Sequence, residues 1–263
     1  MYYYRIKLQY DGTDFAGFQW QKGPATIQEE LNRALSAIQS GKITTMGASR
    51  TDSGVHAHDQ MVKITSENPL SVKTLPQDLN RRLPKTIRCL SAEACDGLFH
   101  PAKHAKLKEY RYLFTNTGRV SERTRRFVAN MPRPLRLELM HQCTEAFVGE
   151  HDFVNFFSTG SNVTSTVRTV SRCELTEVNP QELFFNQDLF SLPAELERCY
   201  QLRIEADGFL KQMIRHLIAA LWMVGTEKLT VEEFVNLLDG PRNPKQQWKI
   251  ATARGLHLYR VTY

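Results

Sequence analysis

Two hydrophobic periods alternate along the chain. Tyr2 to Tyr10 places apolar and polar residues on alternate sides, the two-residue period of a half-buried strand. A turn rich in glycine follows, Asp11 to Gly17. Thr26, with Glu29 three residues later, opens a helix through a capping box. Ile27, Leu31, Ala34, Leu35 and Ile38 then share one helical face, and Gly41 ends the helix. Ile43 to Ala48 and Gln60 to Thr65 read as strands. Ser71 is expected to cap a short helix reaching Leu83, where Pro84 stops it. Thr86 to Ala94 is a further strand.

The order begins again after Pro101. Glu109 to Thr115 alternates as a strand, and Leu135, Leu139, Cys143 and Phe147 recur at spacing four in a helix. Strands are expected at Thr166 to Val178 and Leu196 to Ala206. Phe209 to Val224 is apolar on most sides and reads as a central helix. Thr230 caps one more helix, ended by Asp239-Gly240-Pro241, and Leu256 to Tyr263 closes the chain as a strand. Loops are expected at Gly160-Ser161-Asn162, Asn179-Pro180 and Asn186 to Pro193. No sequence repeat is visible, but both halves run strand, helix, strand, strand, helix. The pattern predicts an α+β fold with antiparallel sheets. The expected division is residues 1–105 and 106–263.

Composition narrows the class. The chain has 263 residues, 41% hydrophobic and 24% charged, as ordinary globular proteins do. No apolar run approaches the roughly 20 residues needed to span a bilayer, and the N-terminus lacks a signal core. A cytoplasmic protein is expected. The five cysteines form no CxxC pair and are read as reduced, mostly buried thiols. The net charge is +6, and its distribution says more. Lys106, Lys108, Arg111, Arg119, Arg123, Arg125, Arg126, Arg133 and Arg136 face only Glu109 and Glu122 in that stretch, with Tyr110, Tyr112, Phe114 and Phe127 interleaved. Arg81, Arg82, Lys85 and Arg88 form a second cluster. Such clusters favour a polyanion, most commonly nucleic acid.

The densest chemistry lies in GASRTDSGVHAHDQ, Gly47 to Gln60, between two strands. Hairpin connections usually take about 2–5 residues; Thr51 to Asp59 is longer, as a working loop would be. From local sequence alone Asp52 divides evenly between an Asx-turn former and a catalyst. An aspartic protease needs a second Asp-Thr/Ser-Gly, which is absent. A serine hydrolase needs the Gly-x-Ser-x-Gly elbow, also absent. His56 and His58 could share a strand face and hold a metal, but no third ligand cluster accompanies them.

Six segments together resemble the tRNA pseudouridine synthase A family. They are YDGTDFAGFQWQ (Tyr10 to Gln21), ASRTDSGVHAHDQMV, FHPAKHAKLKEYRY (Phe99 to Tyr112), HDFVNF (His151 to Phe156), FLKQMIRHLIAALWMVG (Phe209 to Gly225) and GLHLYRVTY. They occur in the family's order and run over essentially the whole chain. The resemblance implies two ferredoxin-like, RRM-like halves. A continuous, mainly antiparallel sheet flanked by helices would join them, with the active cleft between. It also implies an isomerase that detaches uracil from C1′ and reattaches it through C5, in the anticodon stem-loop of tRNA, acting as a homodimer without cofactor or metal.

On that resemblance Asp52 is the catalytic carboxylate, either attacking C1′ or removing a sugar proton. Arg215 is its cationic partner; its apolar neighbours Met213, Ile214, Leu217 and Ile218 make pairing necessary. Tyr110 stacks on a flipped uracil and assists exchange at C5. Arg50 fills the space left by the base or grips its phosphate, and His56 is structural or a further substrate contact. The chain departs from the family at Ser49, Ser53, Ala102, Ala219 and Thr252, where Gly, Ala, Arg, Gly and Pro are usual. The rival readings are a non-catalytic RNA-binding or RNA-folding protein on the same scaffold, and a metal hydrolase using His56 and His58.

Overall fold

The computed structural model describes all residues except 119, 132, 161–162, 180–188, 191–195, 197 and 244–247. The loop expected at Asn186 to Pro193 therefore lies almost wholly outside the described residues, as do Arg119 and parts of the other two expected loops. The chain divides into two compact units: Met1–Lys106 with Asn186–Ser191 and His257–Tyr263, and Leu107–Phe185 with Leu192–Leu256.

The first unit contains β1 (Tyr2–Tyr10), α1 (Ile27–Ser36), β2 (Ile43–Gly47), β3 (His56–Ser66), α2 (Leu75–Asn80) and β4 (Ile87–Ala94). Its strands lie in the order β4-β1-β3-β2, all neighbours antiparallel. This is the split β-α-β of the ferredoxin-like arrangement. The last strand, β10 (Leu256–Thr262), adds to the same edge of β3 as β2 but at its other end, in parallel, His257 beside His56 and Leu258 beside Ala57. Tyr4, Ile6, Leu8 and Tyr10 alternate inward and are buried, as are Ile27, Leu31 and Leu35 of α1. Each such aliphatic side chain contributes about 1.5–3 kcal/mol on burial. Outward residues pair instead: Arg5 with Glu93 at 2.9 Å and Lys7 with Asp59 at 3.0 Å.

The second unit holds β5 (Leu107–Thr115), α3 (Glu122–Phe127), β6 (Ala129–Asn130), α4 (Leu137–Ala146), β7 (Gly149–Asp152), β8 (Val167–Val178), β9 (Cys199–Ala206), α5 (Met213–Gly225) and α6 (Val231–Val235). Its sheet runs β5-β9-β8-β7, antiparallel throughout, with β6 parallel beside β5. Phe147, Phe153, Phe156 and Phe234 are fully buried and form one aromatic cluster, with neighbouring ring centres 5.1 to 6.5 Å apart. The fold is thus α+β with mainly antiparallel sheets.

Several boundaries differ from the sequence reading. The second strand flanking the polar loop begins at His56, not Gln60. His56 and Ala57 are drawn into the sheet by pairing with β10 and with Tyr10. α2 begins at Leu75 after Thr74; Ser71 instead supplies the carbonyl of the preceding turn. α5 begins at Met213, because Gln212 is left-handed at φ 60. Thr26 caps α1, its hydroxyl accepting from the Glu29 N–H at 3.3 Å. The full reciprocal box is found at α6, between Thr230 and Glu233. No described helix is long and apolar enough to cross a membrane. Cys89, Cys143, Cys173 and Cys199 are buried free thiols, and burial pushes Cys89, Cys143 and Cys199 up to about 12.

Candidate active site

The loop Ala48–Val55 lies on a bed made by the segment that follows β1. Phe18 N–H donates to the Thr51 carbonyl at 3.0 Å and Gly54 N–H to the Phe15 carbonyl at 3.3 Å. The approach needs glycine. A Cβ on Gly12 would sit 2.0 Å from the Val55 oxygen; one on Gly17, whose φ is +104, would sit 2.7 Å from the Thr51 oxygen. At the tip, Val55 N–H closes back on the Asp52 carbonyl at 3.1 Å, with Gly54 at φ 78. Positive φ confined to the third position is the mark of a type II turn.

Side chains fix the loop further. Gln60, fully buried, accepts from Ser49 N–H at 3.0 Å and donates to the Ser49 carbonyl at 2.6 Å. Gln60 also donates to the Tyr10 hydroxyl at 3.3 Å, and that hydroxyl meets the Thr51 hydroxyl at 2.8 Å. Arg50 is exposed, Thr51 is buried and Asp52 is half-buried. The backbone on either side of Asp52 is thus tied to Phe15, Phe18 and Gln60. The departure at Ser53 adds a bond that Ala could not make, its hydroxyl donating to the Phe15 carbonyl at 3.1 Å.

His56, expected to contact substrate, is fully buried. Its Nδ1 accepts from Gly12 N–H at 3.2 Å and lies 3.3 Å from Asp11 Oδ1. The His56 ring stacks on His257 at 4.6 Å, and His58 lies over Phe190 at 4.2 Å with its Nε2 3.3 Å from His257 Nδ1. Among the described residues no group of three or more His, Cys, Asp or Glu side chains is arranged to hold a metal ion. Tyr10, Gln60, His257 and Phe190 escaped the sequence reading, since each sits in an ordinary strand pattern or a loop.

The second unit carries Tyr110 and Arg215. Tyr110 is buried on β5, edge-on to Phe209 at 5.1 Å. Arg215 lies in the first turn of α5. Its Nε donates to the Ala251 carbonyl at 2.8 Å, and its own carbonyl accepts from Ala251 N–H at 3.2 Å. The next carbonyl, of Thr252, accepts from the buried Tyr112 hydroxyl at 2.9 Å. Burial pushes the Tyr112 phenol up, and Arg215 draws it part of the way back. The basic stretch is less uniform than its sequence implied. Arg123, Arg125, Arg133 and Arg136 are exposed, whereas Arg111 is bound to Glu109 at 2.8 Å. Burial and Arg168 both lower the pKa of Lys108.

In the first unit a ferredoxin-like α+β sheet thus carries a polar loop, tied down by its neighbours, that bears Asp52. Comparison with known proteins identifies the family. The profile of the family described as tRNA pseudouridine synthase matches residues 7–102 and 144–263. The chain is 33% identical over 258 residues to the tRNA pseudouridine synthase A of Thermoanaerobacter sp. (strain X514), covering 98% of each chain. It is 34% identical over 262 residues to that of Bacillus licheniformis and 32% over 259 residues to that of Acetivibrio thermocellus, again covering 98% of each. The chain belongs to the tRNA pseudouridine synthase family, a family of isomerases.

Proposed function

We propose that the protein converts uridine to pseudouridine in the anticodon stem-loop of tRNA, with Asp52 carrying the glycosidic rearrangement. In this reaction the N1–C1′ bond breaks, C5 bonds to C1′, and the proton leaving C5 is balanced by one gained at N1. Nothing is oxidised and no group leaves the nucleotide. The observation that supports the reading best is the clamped loop around a half-buried Asp52. A carboxylate can serve as nucleophile or base only if it is ionised and held in one geometry.

The target base must leave its stack, at a cost of a few kcal/mol. Exposed arginines such as Arg123, Arg125, Arg133 and Arg136 suit the phosphate contacts that offset this cost. Tyr110, Arg50 and Arg215 keep in this proposal the roles that the family resemblance implies. For His56 the structural role is favoured: it supports the Asp11–Gly12 turn on which the loop rests. A homodimeric, cytoplasmic enzyme working without cofactor or metal completes the proposal.

The test is release of tritium from tRNA labelled at C5 of uridine. The wild-type protein should release label in proportion to pseudouridine formed. Binding of tRNA without release would overturn the enzymatic reading in favour of a non-catalytic RNA-binding protein.

A further inference from the structure

Beside Arg215 lies a chain of four side chains to which neither the sequence nor the family relationship assigns a role. Trp248 Nε1 is 3.2 Å from His216 Nδ1, His216 Nε2 is 3.0 Å from Ser158 Oγ, and Ser158 Oγ is 2.5 Å from Gln212 Oε1. An indole nitrogen only donates, so His216 Nδ1 accepts and is bare. The neutral imidazole then carries its hydrogen on Nε2, which donates to Ser158. The serine's own hydrogen goes to the Gln212 carbonyl oxygen, which can only accept. The chain therefore runs in one direction from Trp248 to Gln212. A protonated His216 would set two donors against each other at Nδ1. In agreement, burial and the neighbouring Arg215 lower its pKa to about 4.

Both ends of the chain bear on Arg215. Gln212 is the left-handed residue at φ 60 that starts α5, three positions before Arg215. Left-handed backbone at a residue with a side chain persists only where its surroundings hold it. Here Ser158 also donates its N–H to the Lys211 carbonyl at 3.0 Å, clamping the same corner. Trp248 lies three residues before Ala251, which exchanges hydrogen bonds with both Arg215 Nε and the Arg215 carbonyl. One end of the relay thus sets where the helix carrying Arg215 begins. The other steadies the strand of chain that receives its guanidinium.

We propose that Trp248, His216, Ser158 and Gln212 are positioning residues that hold Arg215 in place for the isomerisation. This rests on the reading that Arg215 takes part in the reaction. The relay residues touch no reacting atom, so their loss should act through geometry.

The experiment compares steady-state kinetics on a tRNA substrate for wild type, Ser158→Ala, Ser158→Thr, His216→Leu and Arg215→Ala, with thermal melts of each. The proposal expects kcat to fall about 10- to 100-fold in Ser158→Ala and His216→Leu. KM should stay within about twofold, melting midpoints should fall by no more than several degrees so that the variants are folded in the assay, and Ser158→Thr should recover most of the rate because it keeps the hydroxyl. Should His216→Leu fail to fold, Ser158→Ala alone decides. Full kcat in Ser158→Ala beside an inactive Arg215→Ala overturns the relay and leaves the role of Arg215 standing. Loss of rate only in step with loss of folded protein also overturns it. Wild-type activity in Arg215→Ala overturns the reading on which the relay rests, and the relay with it.

Discussion

The hydroxyls of Tyr10 and Thr51 meet at 2.8 Å in the buried interior of the first unit, 41 residues apart in the chain. This contact ties the end of β1 to the residue just before Asp52. Tyr10 is fully buried and Thr51 nearly so, and Gln60 reaches the same phenol at 3.3 Å.

Tyr10→Phe removes that shared hydroxyl and leaves two buried polar groups short of a partner. Each such loss costs about 1–3 kcal/mol. At roughly 2–4 °C per kcal/mol for a chain of this size, the thermal midpoint should drop by several degrees. kcat should fall more than folding alone accounts for, because the Asp52 loop loses a tether. A melt and a tritium-release assay on the same sample check both.

Gly17→Ala should be worse for the loop than for the fold. Its φ of +104 is disfavoured for any side chain, and the new Cβ would press on the Thr51 oxygen. The variant is expected to melt about 1–3 kcal/mol less stable and to lose most of its activity. Full activity would show that the bed of the loop tolerates movement.

Thr252→Pro, by contrast, should be tolerated. Thr252 has φ −58, close to the value proline imposes. Where φ already fits, proline stabilises by about 0.4–1 kcal/mol through the unfolded state. A small rise in melting temperature with unchanged activity is expected. A fall would mean that the Thr252 N–H or the geometry of Ala251 matters.

The pH dependence of stability should carry the mark of His216. Its folded pKa of about 4 lies below the ordinary value of 6.5. Between those values the unfolded chain binds a proton that the native state refuses, so stability declines as pH falls through that window. Denaturant melts at pH 7, 5.5 and 4.5 should show a shallower decline for His216→Gln than for wild type. Parallel declines would contradict the assignment.

Much of the fold is legible in the amino-acid sequence. β1, α1 with its Thr26 cap, and the closing strand follow from hydrophobic period and capping chemistry. What escaped was non-local. His56 looked like part of a loop because the pairings that extend the strand back to it, His257 with His56 and Tyr10 with Ala57, come from far away in sequence. Gln212 looked like part of the first helical turn because nothing in its neighbours announces a left-handed residue; Ser158, 54 positions earlier, helps to hold it. Asp52 was visible as a candidate, but the side chains that hold its loop, Tyr10 and Gln60, read as ordinary strand residues.

The most direct test of the account is tritium release from C5-labelled tRNA by Asp52→Ala, with circular dichroism to show that the variant is folded. The bonds to Thr51 and Ser49 that tie down the loop, from Tyr10, Phe18 and Gln60, are all kept in this variant. Release should stay at the level of the protein-free control while wild type turns over. Release by folded Asp52→Ala at the wild-type rate would contradict it.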